Sequence, residues 1–398
     1  LVLKGNVASS KRAVVLTLQL TLCADSAVYG LVVPFLPSHG AGLGLSEAGI
    51  GALFGTYAAA SLVVSLLLGA MAHRIDQRRA LIGGAVLLAV ANLGFVLSAS
   101  FLPGLFVARA MQGTAAAIAW VVGPAAIATL FPDVERGKTM GSLIMVSSIG
   151  TLIGPPLGGA LFSWGGFAMP FVALGLVALG LAGALAVVLP RSERDAQEPD
   201  APEPLRMILR VPRVLPVGLT VLVAASILGM FEPTAPLFLE RTFGVTVMET
   251  GLIFAGIVLA YGITAPLAGA LSDRVPRVPV MIAGLLALTC LLPVFPRMPT
   301  LALTVTVMCL TGVALAVSFA PCMPALADAL DRGREGPAGG ADYLRVYTLF
   351  SAMWTGGLLL GPLLGGTAVD LWGMAGGFTV AAGACALVAV RLGFMGRA

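Results

Sequence analysis

Gly150-Thr151-Leu152-Ile153-Gly154-Pro155-Pro156-Leu157-Gly158-Gly159 lies inside an apolar segment, and Gly357-Leu358-Leu359-Leu360-Gly361-Pro362-Leu363-Leu364-Gly365-Gly366 repeats it later in the chain. Small residues four apart let helix backbones approach closely in lipid, while an internal proline frees backbone groups that neighbouring helices must satisfy. A helix of this kind belongs at an interface. Its presence at corresponding places in two halves predicts a duplicated membrane protein, an architecture common among secondary transporters.

Composition agrees. The 398 residues are 58% hydrophobic and 11% charged, and the mean hydropathy is +1.00, values outside the range of an ordinary soluble protein. A spanning helix takes about 20 mostly apolar residues. Segments of that length read near 13–36, 47–71, 80–99, 102–131, 140–163, 168–189, 215–239, 250–271, 278–295, 301–327, 344–369 and 376–396. They are apolar all round rather than alternating, which selects helices over a β-barrel. The expected fold class is an all-α polytopic membrane protein with twelve transmembrane helices in two pseudo-symmetric six-helix halves, 1–189 and 214–398, joined by a Pro- and acid-rich linker at 190–213. Leu1 to Arg12 is polar and basic with no small-residue cleavage site after the first apolar segment, so that segment reads as a retained helix.

On this topology all basic residues except Arg109, Arg241 and Arg297 fall on one side. The positive-inside rule then places both termini and the linker in the cytoplasm. The net charge of +4 is a topology signal and implies no nucleic-acid partner. Cys23, Cys290, Cys309, Cys322 and Cys385 lie in apolar segments without metal-ligand spacing, and His39 and His73 stand far apart, so no metal is expected.

A second repeat links the halves. From Gly44 to Arg74 the chain matches itself 200 positions on, with Gly51/Gly251, Phe54/Phe254, Leu67/Leu267, Gly69/Gly269 and Arg74/Arg274 identical. Pro34 is paired with Pro236 at a shift of 202. Polar residues inside the apolar segments are the candidate site. An ionised carboxylate at Asp25 costs about 2.5–3.5 kcal/mol on insertion scales, so it faces a wet cavity or a partner. It serves either as a cation or proton site, with Tyr29 on the same helix face, or as the partner of Arg109. Arg109 cannot lose its proton and needs carbonyls, water or a carboxylate, in a coupling or a structural role. Glu232, between Gly229 and the prolines Pro233 and Pro236, is the second buried acid, on a helix expected to be kinked or broken. Trp120, and Tyr347, Ser351 and Trp354 at helical spacing, are packing or cavity wall. Asp328 and Asp331 read as a solvated helix end.

Together these segments resemble the major facilitator superfamily, in particular its twelve-helix drug:proton antiporters. Gly69 to Arg79 resembles the helix 2–3 loop signature, with His73 at the usual aspartate and Asp273 supplying it in the second copy. Arg109-Ala110-Met111-Gln112-Gly113 resembles the helix-four motif, and Gly150 to Gly159 the helix-five antiporter motif. Within that group the chain looks most like the vesicular amine transporters and their bacterial relatives, on Asp25 with Val33-Pro34-Phe35-Leu36-Pro37-Ser38, Phe131 to Gly141, Gly154-Pro155-Pro156 and Glu232-Pro233-Thr234-Ala235-Pro236. Phe319 and Ser351 stand where that family carries acids, and Tyr57 where it carries a lysine.

The resemblance implies a proton-coupled antiporter exporting lipophilic organic cations or amines, or several drugs, without enzymatic activity. The alternative is a facilitator or symporter of a neutral or anionic solute. It implies substrate and proton contacts at Asp25, Glu232, Tyr29, Tyr57, Trp120, Phe319, Ser351 and Trp354. Coupling and gating fall to Arg109, Gly150, Gly154, Pro155, Pro156, Gly361, Pro362, Gly69, Arg74, Asp273 and Arg274, the Gly-Pro motifs forming a sliding contact between the halves. No cofactor is expected, only the proton gradient. The expected setting is a monomer in a bacterial inner membrane, with the organic cation, protons and the lipid bilayer as its partners.

Overall fold

The computed structural model describes residues 2–71, 75–130, 133–190, 214–331 and 340–395, with side chains described over 11–71, 75–127, 139–190, 214–329 and 348–394. In chain order the helices are α1 Val2–Leu31, α2 Leu36–Gly42, α3 Glu47–Ala70, α4 Gln77–Leu97, α5 Leu102–Leu130, α6 Asp133–Gly165 and α7 Ala168–Val188. They continue as α8 Val214–Phe243, α9 Val247–Arg274, α10 Arg277–Val294, α11 Leu301–Phe319, α12 Cys322–Asp331 and α13 Gly340–Met395. Segments this apolar, without the alternation of a barrel strand, satisfy their backbone groups in lipid as helices.

Among the described residues eleven stretches are long and apolar enough to cross a membrane. The last, Thr348–Phe394, is 47 residues long and is broken at Gly373 (φ 67°, ψ 175°). That break makes it two spans and brings the total to twelve, as the sequence predicts. Gly377 lies against Val369 and Ala368, so the chain doubles back at the break. Gly166, at the matching position between α6 and α7, has φ 68°. Both sites need the left-handed conformation that glycine adopts without penalty.

Three expectations are corrected. The span expected at 301–327 stands as the apolar stretch Leu301–Ala329, but it is two helices rather than one, because Ala320 and Pro321 form a turn between α11 and α12 and Pro321 brings no N–H to continue the ladder. The helix around Glu232 is not broken, since α8 runs unbroken through Pro233 and Pro236. The first span ends at Leu31, and a turn and the short α2 follow it.

The chain forms two compact units. Unit 1 is Leu1–Leu36, Thr56–Asp200 and Val247–Ala255; unit 2 is Pro37–Gly55, Ala201–Thr246 and Gly256–Ala398. In unit 1, α6 lies along α1 on a row of glycines. A Cβ on Gly150, Gly154 or Gly158 would strike the carbonyl oxygen of Cys23, Ala27 or Leu31 respectively, and Pro155 packs on Gly30. In unit 2, α13 lies along α8 in the same way, with Gly357, Gly361 and Gly365 over Leu222, Ser226 and Met230, and Pro362 on Gly229. Each α8 residue stands 199 positions after its α1 counterpart.

The same correspondence runs through both cores. Gly84 packs on Ile118 and Gly284 on Ser318, while Gly113 meets the Tyr57 carbonyl and Gly312 that of Ile257. Phe95 stacks on Phe171 at 4.3 Å between ring centres, as Phe295 packs on Phe378 at 5.0 Å. The duplication is therefore structural down to single side chains. It also corrects the proline pairing. A shift of 199 brings Pro34 onto Pro233 rather than Pro236, because packing against the partner helix fixes the register and proline spacing alone does not.

Candidate functional site

Unit 1 gathers five of the sequence-selected residues. Asp25 on α1 is only 3% exposed, and its carboxylate accepts a hydrogen bond of 3.0 Å from the indole Nε1 of Trp120 on α5. Trp120 is itself 38% exposed, which leaves an aromatic surface open beside a buried acid. One turn beyond Asp25, Tyr29 meets Tyr57 of α3 with ring centres 5.0 Å apart. The Arg109 guanidinium, fully buried, lies 4.7 Å from the Tyr57 ring centre and 5.6 Å from that of Tyr29. Such placement is attractive because a cation meets the negative face of each ring.

The guanidinium is also held from behind. Its Nη1 donates to Gln112 Oε1 (3.0 Å), Gln112 Nε2 donates to Asn92 Oδ1 (3.2 Å), and Asn92 Nδ2 donates to the Leu88 carbonyl (2.9 Å). All three side chains are fully buried. Gly113 makes this possible by letting α5 close on α3 at Tyr57. A cavity of about 10 Å³ beside Asp25, bounded by Thr21, Gly84, Ala85, Ala115 and Ala119 among others, has room for one water-sized group. The cluster therefore offers a buried carboxylate beside a partly open indole, and a pair of tyrosine rings occupied by the fixed charge of Arg109. A carboxylate so placed has the chemistry to accept a proton or a cation.

Unit 2 holds the remaining candidates. Glu232 is 5% exposed on α8. Phe319 packs against Trp354 at 4.9 Å and Phe350 at 5.2 Å, with Tyr261 at 6.5 Å. Ser351 lies one turn from Trp354 on α13 and is partly exposed. Asp25 and Glu232 thus belong to different units.

The coupling residues separate into two kinds. Gly150, Gly154, Pro155, Pro156, Gly361 and Pro362 all lie in close backbone packing; on the far side of the same helices, Gly251 closes on Pro155 and Pro156 in unit 1, and Gly51 on Pro362 in unit 2. Around Gly69 there is open space, so close packing is not what this glycine provides. Arg274 is exposed, and Asp273 is an exposed neighbour of Arg277 at 3.9 Å. Asp328, expected to be solvated, instead pairs with Arg277, which also donates to the Pro324 carbonyl (3.1 Å). Arg74 and His73 lie outside the described residues, as do the side chains of Asp331 and Tyr347.

A family model described as Major Facilitator Superfamily matches residues 18–231 and again 217–397. The chain belongs to the major facilitator superfamily. Its relatives in that superfamily include the rat MFS-type transporter SLC18B1, 29% identical over 353 residues, covering 85% of this chain and 76% of that protein. The human chromaffin granule amine transporter is 26% identical, covering 81% of this chain and 61% of that one. In fold, the chain superposes on a bacterial homologue of the human lysosomal transporter Spinster with a TM-score of 0.82 at 16% identity, over 97% of both chains. The nucleoside transporter NupG gives 0.77 at 12% identity, over 97% of this chain and 99% of that one. This is a polytopic membrane transporter, and the relatives are transporters rather than enzymes.

Sequence reasoning missed Asn92, Tyr261 and Phe350, and met Gln112 only as part of the helix-four motif. Asn92 and Gln112 carried a usable signal, since an amide inside an apolar span requires a partner. Tyr261 and Phe350 gave none, because an aromatic in such a span is ordinary.

Proposed function

We propose that this chain exports lipophilic organic cations in exchange for protons, working as a monomer in a bacterial inner membrane with both termini in the cytoplasm. The observation that carries this reading is the Asp25 carboxylate, buried and hydrogen-bonded to the half-open Trp120 with Tyr29 one turn away. A buried acid next to aromatic faces can take either a proton or an organic ammonium, and holds only one at a time. That exclusivity couples the flows, because a ligand shifts a conformational equilibrium only through its differential affinity for the two states. Glu232 acts as the second exchangeable acid, and the proton gradient is the only driving force. The likeness to an amine transporter supports the same substrate class.

A second reading, passage of an anionic or neutral solute, is favoured by the fixed positive charge of Arg109. Uptake of a fluorescent lipophilic amine into proteoliposomes, with and without an inward-acidic pH gradient, separates the two. Gradient-driven accumulation that disappears in Asp25→Asn and in Glu232→Gln supports amine/proton exchange. Accumulation preserved in both variants, or absent from the unaltered protein, overturns it.

A further inference from the structure

The end of the first span of α13, just before the break at Gly373, carries a carboxylate where its counterpart in unit 1 carries a hydroxyl. The two carboxylate oxygens of Asp370 accept from the first backbone N–H groups of α3, at 3.0 Å from Glu47 and 2.9 Å from Ala48. Those N–H groups have no partner within their own helix, and a carboxylate at a helix N-terminus also complements the helix dipole. The Glu47 side chain pairs with Arg241 at the end of α8 (2.9 Å), and Ser38 donates to Glu240 on the same rim. Beneath these polar contacts runs the glycine seam. Gly51 faces the Pro362 carbonyl and Gly366 the Glu47 carbonyl, and one turn further from the rim Leu363 packs on Gly55.

At the matching positions in unit 1 stand Ser163 for Asp370 and Val247 for Glu47. The Ser163 hydroxyl donates to the Gly159 carbonyl of its own helix at 2.8 Å. The glycine seam is shared, then, while the capping carboxylate of Asp370 is replaced by the Ser163 hydroxyl in the other copy.

We propose that the Asp370 cap and the Glu47–Arg241 pair form a detachable latch, holding the first turn of α3 on the end of the first span of α13 and setting how often this end of the unit opens. Three features distinguish a latch from fixed packing. The holding groups sit at an exposed rim, where water can replace each hydrogen bond at small net cost. Nearest the rim the seam they close is backbone on backbone, at Gly51 and Gly366, with Leu363 on Gly55 as the side-chain contact beneath it. Closure also leaves Glu47 Oε2 buried without a hydrogen-bond partner, an acceptor that water satisfies once the turn lifts. The two states are thereby kept close in free energy. This inference goes beyond the proposed exchange reaction and needs no substrate.

The test places a reporter under the latch. Ile50, 1% exposed in the first turns of α3, is replaced in Ile50→Cys, and its modification by a maleimide is followed in nanodiscs, with labelling of the parent chain subtracted. Adding Asp370→Asn, which removes the charge and one acceptor, is expected to speed modification about tenfold, the range set by losing a helix cap. Hydrogen exchange on the chain with native Ile50 gives a second measure. In Asp370→Asn, and to a smaller degree in Arg241→Gln, exchange quickens over 45–53 and stays unchanged over 247–255. Equal rates with and without Asp370→Asn in both measurements overturn the latch. So does quickening of both segments alike, which marks general loosening. Amine transport can fail in its own assay without altering either readout.

Discussion

The two copies of the six-helix plan share a scaffold and differ in chemistry. Along α1 and α6, and along α8 and α13, glycines and a proline meet at equivalent places, so the seam that fixes helix register is the same. The polar cluster is not. By the same correspondence Asp25 becomes Ala224, Arg109 becomes Met308 and Gln112 becomes Thr311, and Met308 is as fully buried as Arg109. Glu232 corresponds to Val33 in turn, and lies eight residues beyond the position equivalent to Asp25, about 12 Å along its helix. Duplication supplied the frame, and the two buried acids were placed within it separately.

Exchanging residues between the copies breaks this comparison most sharply. Met308→Arg places in unit 2 the charge that unit 1 accommodates, without the amides that support it. It is expected to cost about 2.5–3.5 kcal/mol or more, and to appear as lost membrane insertion or a lower Tm of the purified protein. The reverse change, Arg109→Met, keeps the fold while lowering amine exchange by about 100-fold, as misplacing a binding group does. Full exchange with a collapsed Tm assigns Arg109 a purely structural role instead.

The shared scaffold makes a symmetric prediction. Gly150→Ala and Gly361→Ala each drive a Cβ into a carbonyl oxygen of the facing helix, so each destabilises by about 1–3 kcal/mol. Thermal unfolding that separates the two by more than that range shows that the seams are not equivalent.

Trp120→Phe keeps an aromatic ring while deleting the hydrogen bond to Asp25. The apparent affinity for amine falls by about 2- to 10-fold, the value of one hydrogen bond, read as KM in the exchange assay. Gly69→Ala, into open space, is the smallest change. It is neutral or raises stability by up to about 1 kcal/mol through helix propensity, and a large loss there would reveal a contact absent from this structure.

Much of this was legible in the chain itself. The Gly-Pro repeat and the length of the apolar segments reveal the twelve spans and the duplication, because lipid leaves the backbone few choices. Asp25, Tyr29, Tyr57, Arg109 and Trp120 fall together as a cluster because polar groups in such a setting must find one another. What stayed hidden depends on facing rather than identity. The register of Pro34 on Pro233 follows from which α1 and α8 residues meet the glycines, and the role of Asp370 from the helix end it reaches. Neither is encoded in a local pattern. The break at Pro321 carried a signal in the proline itself, although prolines within α6 and α8 leave those helices continuous.

The single-residue reversal at Gly373 bears on how the protein is made. With one residue between its last two spans, the chain exposes no loop there whose charge could orient either span. A turn this short ties the two spans into one helical hairpin, so neither can reverse its direction in the bilayer without the other.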